Sequence, residues 1–286
     1  MSIYLKYVIL LFVYLMLSAC GPMAVVGVVG NVVNAIGEST VGNDPDFYTA
    51  SPTTTSATGQ PLHDNDKIAE ANLNLALGYM NKGKYEKSLT YLDKAKAAKP
   101  DDAQIYSVYG LVYQRLGQAD VAETNFKESL ELDDRNSDIL NNYAQFLCIH
   151  DRREEAGKYF LKAAADPLYK TPEIPYTNYA TCAFLHDDID TAVEYYDKAL
   201  AKDPNIPVAL YRMASIKLKR QDFKSAHDYL MRYTKVAKHT PATLWLGIQI
   251  ENELGNKDTV SSYALLLRNQ YPKSNEAKLL ADSGIR

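Results

Sequence analysis

The sequence predicts an all-α protein built as a stack of two-helix units. Three observations predict this class: a pattern that recurs every 34 residues over most of the chain, apolar positions at helical spacing within each unit, and turn signals such as N-K-G-K and R-L-G-Q between helices. A period of this length is typical of repeat arrays, in which each unit buries its apolar face against its neighbours.

Six units can be aligned along the chain. Their first residues are Ala69, Ala103, Ser137, Glu173, Pro207 and Pro241. Only the third unit differs in length, with 36 residues instead of 34, through D-P-L-Y-K-T-P-E-I-P. Small residues recur at one position of the first helix, at Ala76, Gly110, Ala144, Ala180 and Ala214. Large residues recur in the second helix, at Leu92, Phe126, Phe160, Tyr196 and Leu230. Small side chains indicate where two helices approach closely.

This pattern resembles the tetratricopeptide repeat (TPR), and the resemblance covers about two thirds of the chain. It implies a right-handed superhelix of about six TPR units, each made of antiparallel helices A and B. The sixth unit is the least regular, and residues 275–282 are expected to form a C-terminal capping helix. We accordingly place the TPR domain at residues 67–286.

The chain begins with the features of a secretory signal peptide at residues 1–19. Lys6 precedes an apolar run, and small residues follow that run. The segment L-S-A-C, which ends at Cys20, resembles the lipobox of bacterial lipoproteins, and this resemblance implies cleavage before Cys20 and its lipidation. Gly21 stands where an aspartate would favour retention in the inner membrane. The resemblance therefore implies an outer-membrane lipoprotein on the periplasmic face.

Two segments separate Cys20 from the repeats. Residues 20–37 contain the lipidated N-terminus and an apolar Val/Gly stretch at 23–36, and residues 38–66 are rich in Ser, Thr and Pro. Because apolar residues resume at 23, an uncleaved membrane anchor is the alternative to lipidation, although Gly-Pro breaks the helix there and the first run is short for a span. Residues 38–66 have little apolar content, so we expect a disordered linker.

Composition and motifs argue against nucleic-acid binding and catalysis. The formal net charge of -4 provides no basic field, and we find no nucleophile elbow, metalloprotease, P-loop or dinucleotide-binding motif. Acidic pairs such as Asp187-Asp188, and the turn histidines His150 and His186, are expected to lie at helix ends, where they stabilise the helix. We predict that the chain is not an enzyme and needs no cofactor or small-molecule substrate.

Two cysteines remain once Cys20 carries lipid. Cys148 and Cys182 lie late in helix A of units three and four, and neighbouring A helices stack side by side. An even pair in an oxidising compartment favours a disulfide, which we predict here, with no metal. Two unpaired buried thiols are one alternative. A metal site that includes His150 and His186 is another, although the C-x-H and C-x₃-H spacings match no strong zinc pattern.

Helix A positions of TPR arrays commonly line a concave surface that binds extended peptides. By repeat position, these residues are Leu73, Leu77 and Met80 in unit one, Asn141, Asn142 and Gln145 in unit three, Thr177, Asn178 and Thr181 in unit four, Tyr211 in unit five and Trp245 in unit six. Asparagine suits the backbone of a peptide, because it donates and accepts at once. The alternatives are hydrogen bonds between helices for each asparagine and core packing for the leucines.

The lipobox, the linker and the six units together resemble the pilotin lipoproteins of type IV pilus biogenesis, the PilF/PilW group. The resembling segments are N-N-Y-A-Q-F-L-C in unit three, A-A-A-D-P-L-Y-K-T-P after it, N-Y-A-T-C in unit four, and E-L-G-N-K-D and L-R-N-Q-Y-P-K-S-N-E near the end. The resemblance implies a protein that binds subunits of the PilQ-like outer-membrane secretin and promotes their localisation and multimerisation. The Val/Gly stretch and the linker depart from the family pattern.

Two other functions are open at the level of sequence. One is a generic periplasmic TPR adaptor for envelope enzymes, a secretion system or a Tad-like pilus. The other is a lipoprotein component of outer-membrane protein insertion. Both use the same repeat architecture, so the repeats alone do not separate them.

Overall fold

A computed structural model describes residues 64–285, and all the regular elements in this range are α-helices. The helices are α1 (Asp64–Asn81), α2 (Tyr85–Ala98), α3 (Ala103–Arg115), α4 (Ala119–Leu132), α5 (Ser137–Ile149), α6 (Arg153–Ala164), α7 (Glu173–Leu185), α8 (Ile189–Lys202), α9 (Pro207–Lys219), α10 (Phe223–Val236), α11 (Pro241–Glu253), α12 (Lys257–Gln270) and α13 (Asn275–Asp282). The odd-numbered helices α1 to α11 are the A helices, their successors are the B helices, and α13 caps the array.

The predicted TPR array is confirmed, and the helix boundaries follow the repeat closely. Helices α3, α5, α7, α9 and α11 begin at the first residues of units two to six. The first unit differs, because α1 begins at Asp64 rather than at Ala69. Asp64 and Asp66 lie in its first turn, where negative charge favours the positive end of the helix dipole. The last three residues of the predicted linker are therefore helical.

Every A helix ends in the same kind of turn. One residue in each A-to-B turn has a positive φ, namely Gly83, Gly117, Asp151, Asp187, Gln221 and Gly255. Glycine adopts this left-handed conformation freely, whereas a residue with a side chain pays about 1 kcal/mol for it. The acidic pair in the unit-four turn behaves as predicted, because Asp188 Oδ1 accepts a hydrogen bond from Thr191 N and caps α8.

The small-residue position of helix A lies against the B helix of the same unit. Ala76, Ala144, Ala180 and Ala214 are fully buried. In unit two, a Cβ built on Gly110 would lie 2.8 Å from the ring of Phe126 in α4. Unit two therefore requires glycine at the position where the other units hold alanine.

The apolar core runs along the array as a series of adjoining clusters. Leu92 belongs to the cluster of units one and two, Phe126 to that of units two to four, and Tyr196 to that of units four to six. A further cluster around Leu267 joins unit six to α13. The apolar face of each unit is thus buried by its neighbours, as the repeat pattern predicts.

The two extra residues of unit three lie in the loop between α6 and α7, residues 165–172. Tyr169 donates through its hydroxyl to Asp138 Oδ1 at the start of α5, at 2.7 Å. Asp166 Oδ1 accepts from the backbone N–H of Leu168, whose side chain is 85% exposed. The loop is therefore held against unit three at Tyr169, while its tip faces solvent.

Several sequence predictions fall outside the described residues. These are the signal peptide, lipidation of Cys20, the Val/Gly stretch and residues 38–63 of the linker. Among the helices of residues 64–285, none combines the length and the apolar character needed to cross a bilayer.

Candidate partner-binding surface

Polar side chains link successive A helices at the centre of the array. Asn142 of α5 donates through Nδ2 to Ser107 Oγ of α3 at 3.2 Å. Asn178 of α7 donates through Nδ2 to Asn141 Oδ1 of α5 at 2.9 Å. The two bonds are equivalent within the repeat. In each, the acceptor belongs to the preceding unit, and the donor lies one repeat position later than the acceptor. We call these four residues the polar ladder.

The polar ladder corrects the prediction for Asn141 and Asn178. Both side chains are buried, and they bond to each other rather than facing a partner. The physical reason is the close stacking of α5 on α7, which removes both amides from water and requires each to find a partner within the array. Asn142 is half-buried and still presents part of its amide at the surface.

In unit five, the residue at the repeat position of Asn142 and Asn178 also contacts the preceding unit. There the residue is Arg212, which is buried, and its guanidinium lies 4.6 Å from the centroid of the Phe184 ring in α7. A cation over an aromatic ring is an attractive contact when it is removed from water. This repeat position thus carries the contact between neighbouring A helices in units three, four and five.

The threonines of unit four belong to the interior as well. Thr177 Oγ1 donates to the Glu173 carbonyl at 2.7 Å, and Thr181 Oγ1 donates to the Thr177 carbonyl at 2.9 Å. Thr181 Oγ1 also lies 3.0 Å from the Tyr196 hydroxyl of α8. These hydroxyls are buried and satisfied, so the structure does not present them to a partner, contrary to the prediction.

The apolar candidates divide into buried and half-buried residues. Leu73, Met80 and Tyr211 are buried in the core, which corrects their prediction as surface residues. Neighbouring helices cover them, since Leu73 and Met80 belong to the core cluster of units one and two and Tyr211 to that of units four to six. Leu77 and Trp245 are half-buried and pack against the first and last clusters of the core, so part of each remains accessible.

Gln145 lies one helical turn after Asn141 and Asn142 on α5. Its side chain is only 5% exposed, and its Nε2 forms no hydrogen bond within residues 64–285. A buried amide donor without an acceptor is unfavourable by about 1–3 kcal/mol. Because this nitrogen is shielded from solvent, a partner does not reach it in this structure, and the prediction of Gln145 as a surface residue is corrected as it is for Asn141.

Ser107 is a member of the ladder that the sequence prediction omitted. It occupies the same repeat position as Asn141 and Thr177, so the repeat alignment contained the signal. A second polar link, between units two and three, was also missed. Glu123 Oε1 of α4 accepts from Arg152 Nη1 at 2.7 Å and from the Tyr143 hydroxyl at 3.1 Å. The hydrogen bond from Arg152 is the main reason why the pKa of Glu123 is lowered to about 2.

A covalent link joins units three and four next to the ladder. The Sγ atoms of Cys148 in α5 and Cys182 in α7 are bonded, and their Cα atoms are 5.9 Å apart. His186 lies beside this bridge, with Nε2 at 3.4 Å from the Cys148 carbonyl oxygen. His150 instead packs its ring on Phe146, with the centroids 4.4 Å apart.

Known proteins resemble this chain both in sequence and in structure. Residues 67–135 match the tetratricopeptide repeat family. The type IV pilus assembly protein PilF of Pseudomonas aeruginosa is 29% identical over 211 residues, which cover 74% of this chain and 84% of PilF. The solved structure of P. aeruginosa PilF superposes with a TM-score of 0.69 at 28% identity, covering 77% of this chain and all of that one.

A second solved structure points to the same group. PilW, described as a widely conserved type IV pilus biogenesis factor, superposes with a TM-score of 0.67 at 28% identity, over 75% of this chain and 99% of PilW. The repeat fold shared with these pilus biogenesis proteins is typical of protein-interaction scaffolds. The chain is therefore a tetratricopeptide-repeat protein that is similar in sequence and structure to the type IV pilus biogenesis proteins PilF and PilW.

Proposed function

We propose that this chain is a pilotin, an outer-membrane lipoprotein that binds secretin subunits and promotes their localisation and multimerisation. The single observation that carries the proposal is the similarity to PilF along 74% of the chain. The lipobox ending at Cys20 supports the anchor. The mechanism is co-localisation, because an acyl anchor raises the effective concentration of a bound client at the membrane.

We assign client binding to the surface around α5. Asn142 is half-buried and keeps part of its amide at the surface of α5. An extended segment of the secretin offers backbone carbonyls, which are suitable acceptors for the accessible part of the Asn142 amide. The disulfide and the polar ladder fix α3, α5 and α7 relative to one another, so this surface is preorganised for binding.

The test compares full-length variants in the source bacterium after deletion of the gene. Wild-type chain should restore heat-resistant secretin multimers in the outer membrane and surface pili. Cys20→Ser should leave the secretin in the wrong membrane, and Asn142→Ala should reduce multimers several-fold without lowering the amount of the chain. Lys158→Ala, an exposed change on α6 of the same unit, is the matched control and should behave as wild type.

Two outcomes would overturn the proposal. If deletion leaves secretin multimers and pili unchanged, the chain is not a pilotin. If deletion lowers many outer-membrane β-barrels together, the chain acts in outer-membrane protein insertion instead.

A further inference from the structure

The bridge between units three and four lies within a cluster of metal-ligand side chains. His186, the C-cap residue of α7, lies beside Cys148 and Cys182, and one ligand atom from each of the three residues lies within 4.8 Å of the others. Cys148 and Cys182 are 3% and 1% exposed, and the His186 side chain is 20% exposed. Two sulfurs and an imidazole in an enclosed site are typical zinc ligands.

We propose that reduction of the Cys148–Cys182 bridge converts this cluster into a binding site for a thiophilic divalent cation such as zinc. In the bridged form neither sulfur is a thiolate, and the thiolate is the form that binds metals. A dithiol reductant supplies two electrons and two protons. The S–S bond breaks, two thiols form, and the dithiol becomes a disulfide. Zinc then binds the two sulfurs and the imidazole, and both thiol protons are released.

The surroundings of His186 suit a metal ligand. Its Nε2 lies 3.4 Å from the carbonyl oxygen of Cys148, and its Nδ1 lies 3.9 Å from the carboxylate of Asp151. A metal-bound histidine usually donates its other ring N–H to a carbonyl or a carboxylate, which orients the ring and strengthens the bond to the metal. Each ring nitrogen has such an acceptor beside it. A water molecule completes four-coordination.

His150 provides an internal comparison. It occupies the same turn position in unit three as His186 does in unit four, but its ring packs on Phe146 and it is not part of the cluster. The site therefore depends on the stacking of α5 on α7 rather than on histidine at this turn.

Metal binding would therefore provide a second link between α5 and α7. When the covalent link is lost, a bound cation holds the same two helices together and keeps Asn141 and Asn178 within hydrogen-bonding distance. This inference does not depend on the pilus function proposed above, because it rests only on the three side chains and their surroundings.

Metal binding by the purified full chain tests the proposal. All samples carry Cys20→Ser, so that the third thiol of the chain does not contribute. After reduction with a phosphine, which offers no competing thiolate, we expect one zinc ion per chain by competition with a chromophoric chelator. Cobalt in place of zinc should show cobalt–thiolate charge-transfer absorption. The oxidised chain should show neither signal.

Variants separate the site from adventitious binding to thiols. His186→Ala should weaken zinc binding at least about ten-fold, and zinc should no longer raise the melting temperature of the reduced chain. His150→Ala should retain both properties. The melting curve of oxidised His186→Ala, in which the bridge is intact, checks the fold. The proposal is wrong if the reduced chain binds no more zinc than Cys148→Ser/Cys182→Ser, or if His186→Ala binds zinc as tightly as wild type.

Discussion

The central junction of the array and its first two units are held together in different ways. Units three and four share a disulfide and the Asn178–Asn141 hydrogen bond, and their turns contain Asp151 and Asp187 in the left-handed conformation. Units one and two meet through an apolar cluster around Leu92 and through a hydrogen bond from the Tyr109 hydroxyl to Asp93, and their turns contain glycine. The centre thus adds a covalent link and a buried amide pair, whereas the N-terminal end relies mainly on apolar burial.

The difference teaches where the repeat needs a defined geometry. Apolar contacts stabilise a junction without fixing its angle closely, because many packings bury a similar area. A disulfide and a buried amide pair each tolerate one arrangement. These links surround the longest unit, where the extra residues between α6 and α7 would otherwise loosen the stacking. The surface around Asn142 lies within this fixed region.

The largest expected effect is loss of the bridge. Cys148→Ser/Cys182→Ser should lower the free energy of unfolding by about 3 kcal/mol, because the bridge closes a long loop in the unfolded chain. Urea unfolding in the presence of a chelator measures this, and wild type treated with reductant should match the variant. Amide exchange should speed up in α5 and α7 while α1 and α2 stay unchanged. Equal acceleration in all four helices would contradict the comparison.

The next effect belongs to the N-terminal end. Gly110→Ala should destabilise the chain by about 2 kcal/mol, because the new methyl group meets the buried ring of Phe126. Gly78→Ala is the matched control in α1, where a Cβ meets nothing within 4 Å. It should stabilise the chain by about 0.5–1 kcal/mol, since alanine favours a helix. Thermal unfolding of both variants distinguishes close packing from helix propensity. A neutral Gly110→Ala would mean that this contact relaxes easily.

Removal of one ladder amide should have a somewhat smaller effect. Asn178→Ala leaves Asn141 Oδ1 buried without its donor and should cost about 1.5 kcal/mol. Asn142→Ala, at the equivalent position of unit three but only half-buried, should cost less because water can replace the lost amide. Denaturant midpoints, compared at constant m-value, give the change in the free energy of unfolding for both variants. Equal losses of stability in the two variants would show that burial does not distinguish the two hydrogen bonds.

The smallest effect concerns the ionic link between the two regions, and it depends on pH. Glu123→Gln should cost about 1 kcal/mol at pH 7, because the carboxylate accepts from Arg152 and Tyr143. The pKa of Glu123 is lowered to about 2 in the folded chain. Its contribution is therefore complete above the unfolded pKa of about 4.5 and is lost as the pH falls towards 2.

The same prediction has a control on the same helix. Glu128→Gln, an exposed change in α4, should leave stability unchanged at every pH. Stability curves of the two variants and wild type between pH 7 and pH 3 decide the matter. If Glu123→Gln and wild type differ by the same amount throughout this range, the ionic link is not the cause.

The sequence predicted the helices well because apolar periodicity and small residues mark them within each unit. The start of α1 was missed, since Asp64 precedes the repeating pattern and only its charge near the helix dipole favours a helix there. The partners of Asn141 and Asn178 were not predictable in the same way. Which side chains meet between stacked A helices depends on the rotation of one unit against the next, and the repeat pattern does not encode that rotation.

The loop between α6 and α7 lies between the two bridged cysteines, and Leu168 at its tip is the most exposed large apolar residue of residues 64–285. An exposed tip of this kind is where a protease cuts a folded chain. A single cut there divides the chain into two fragments that remain covalently attached through the bridge. The nicked molecule should run as one species on a non-reducing gel and as two after reduction, with the solenoid still assembled until the thiols are released.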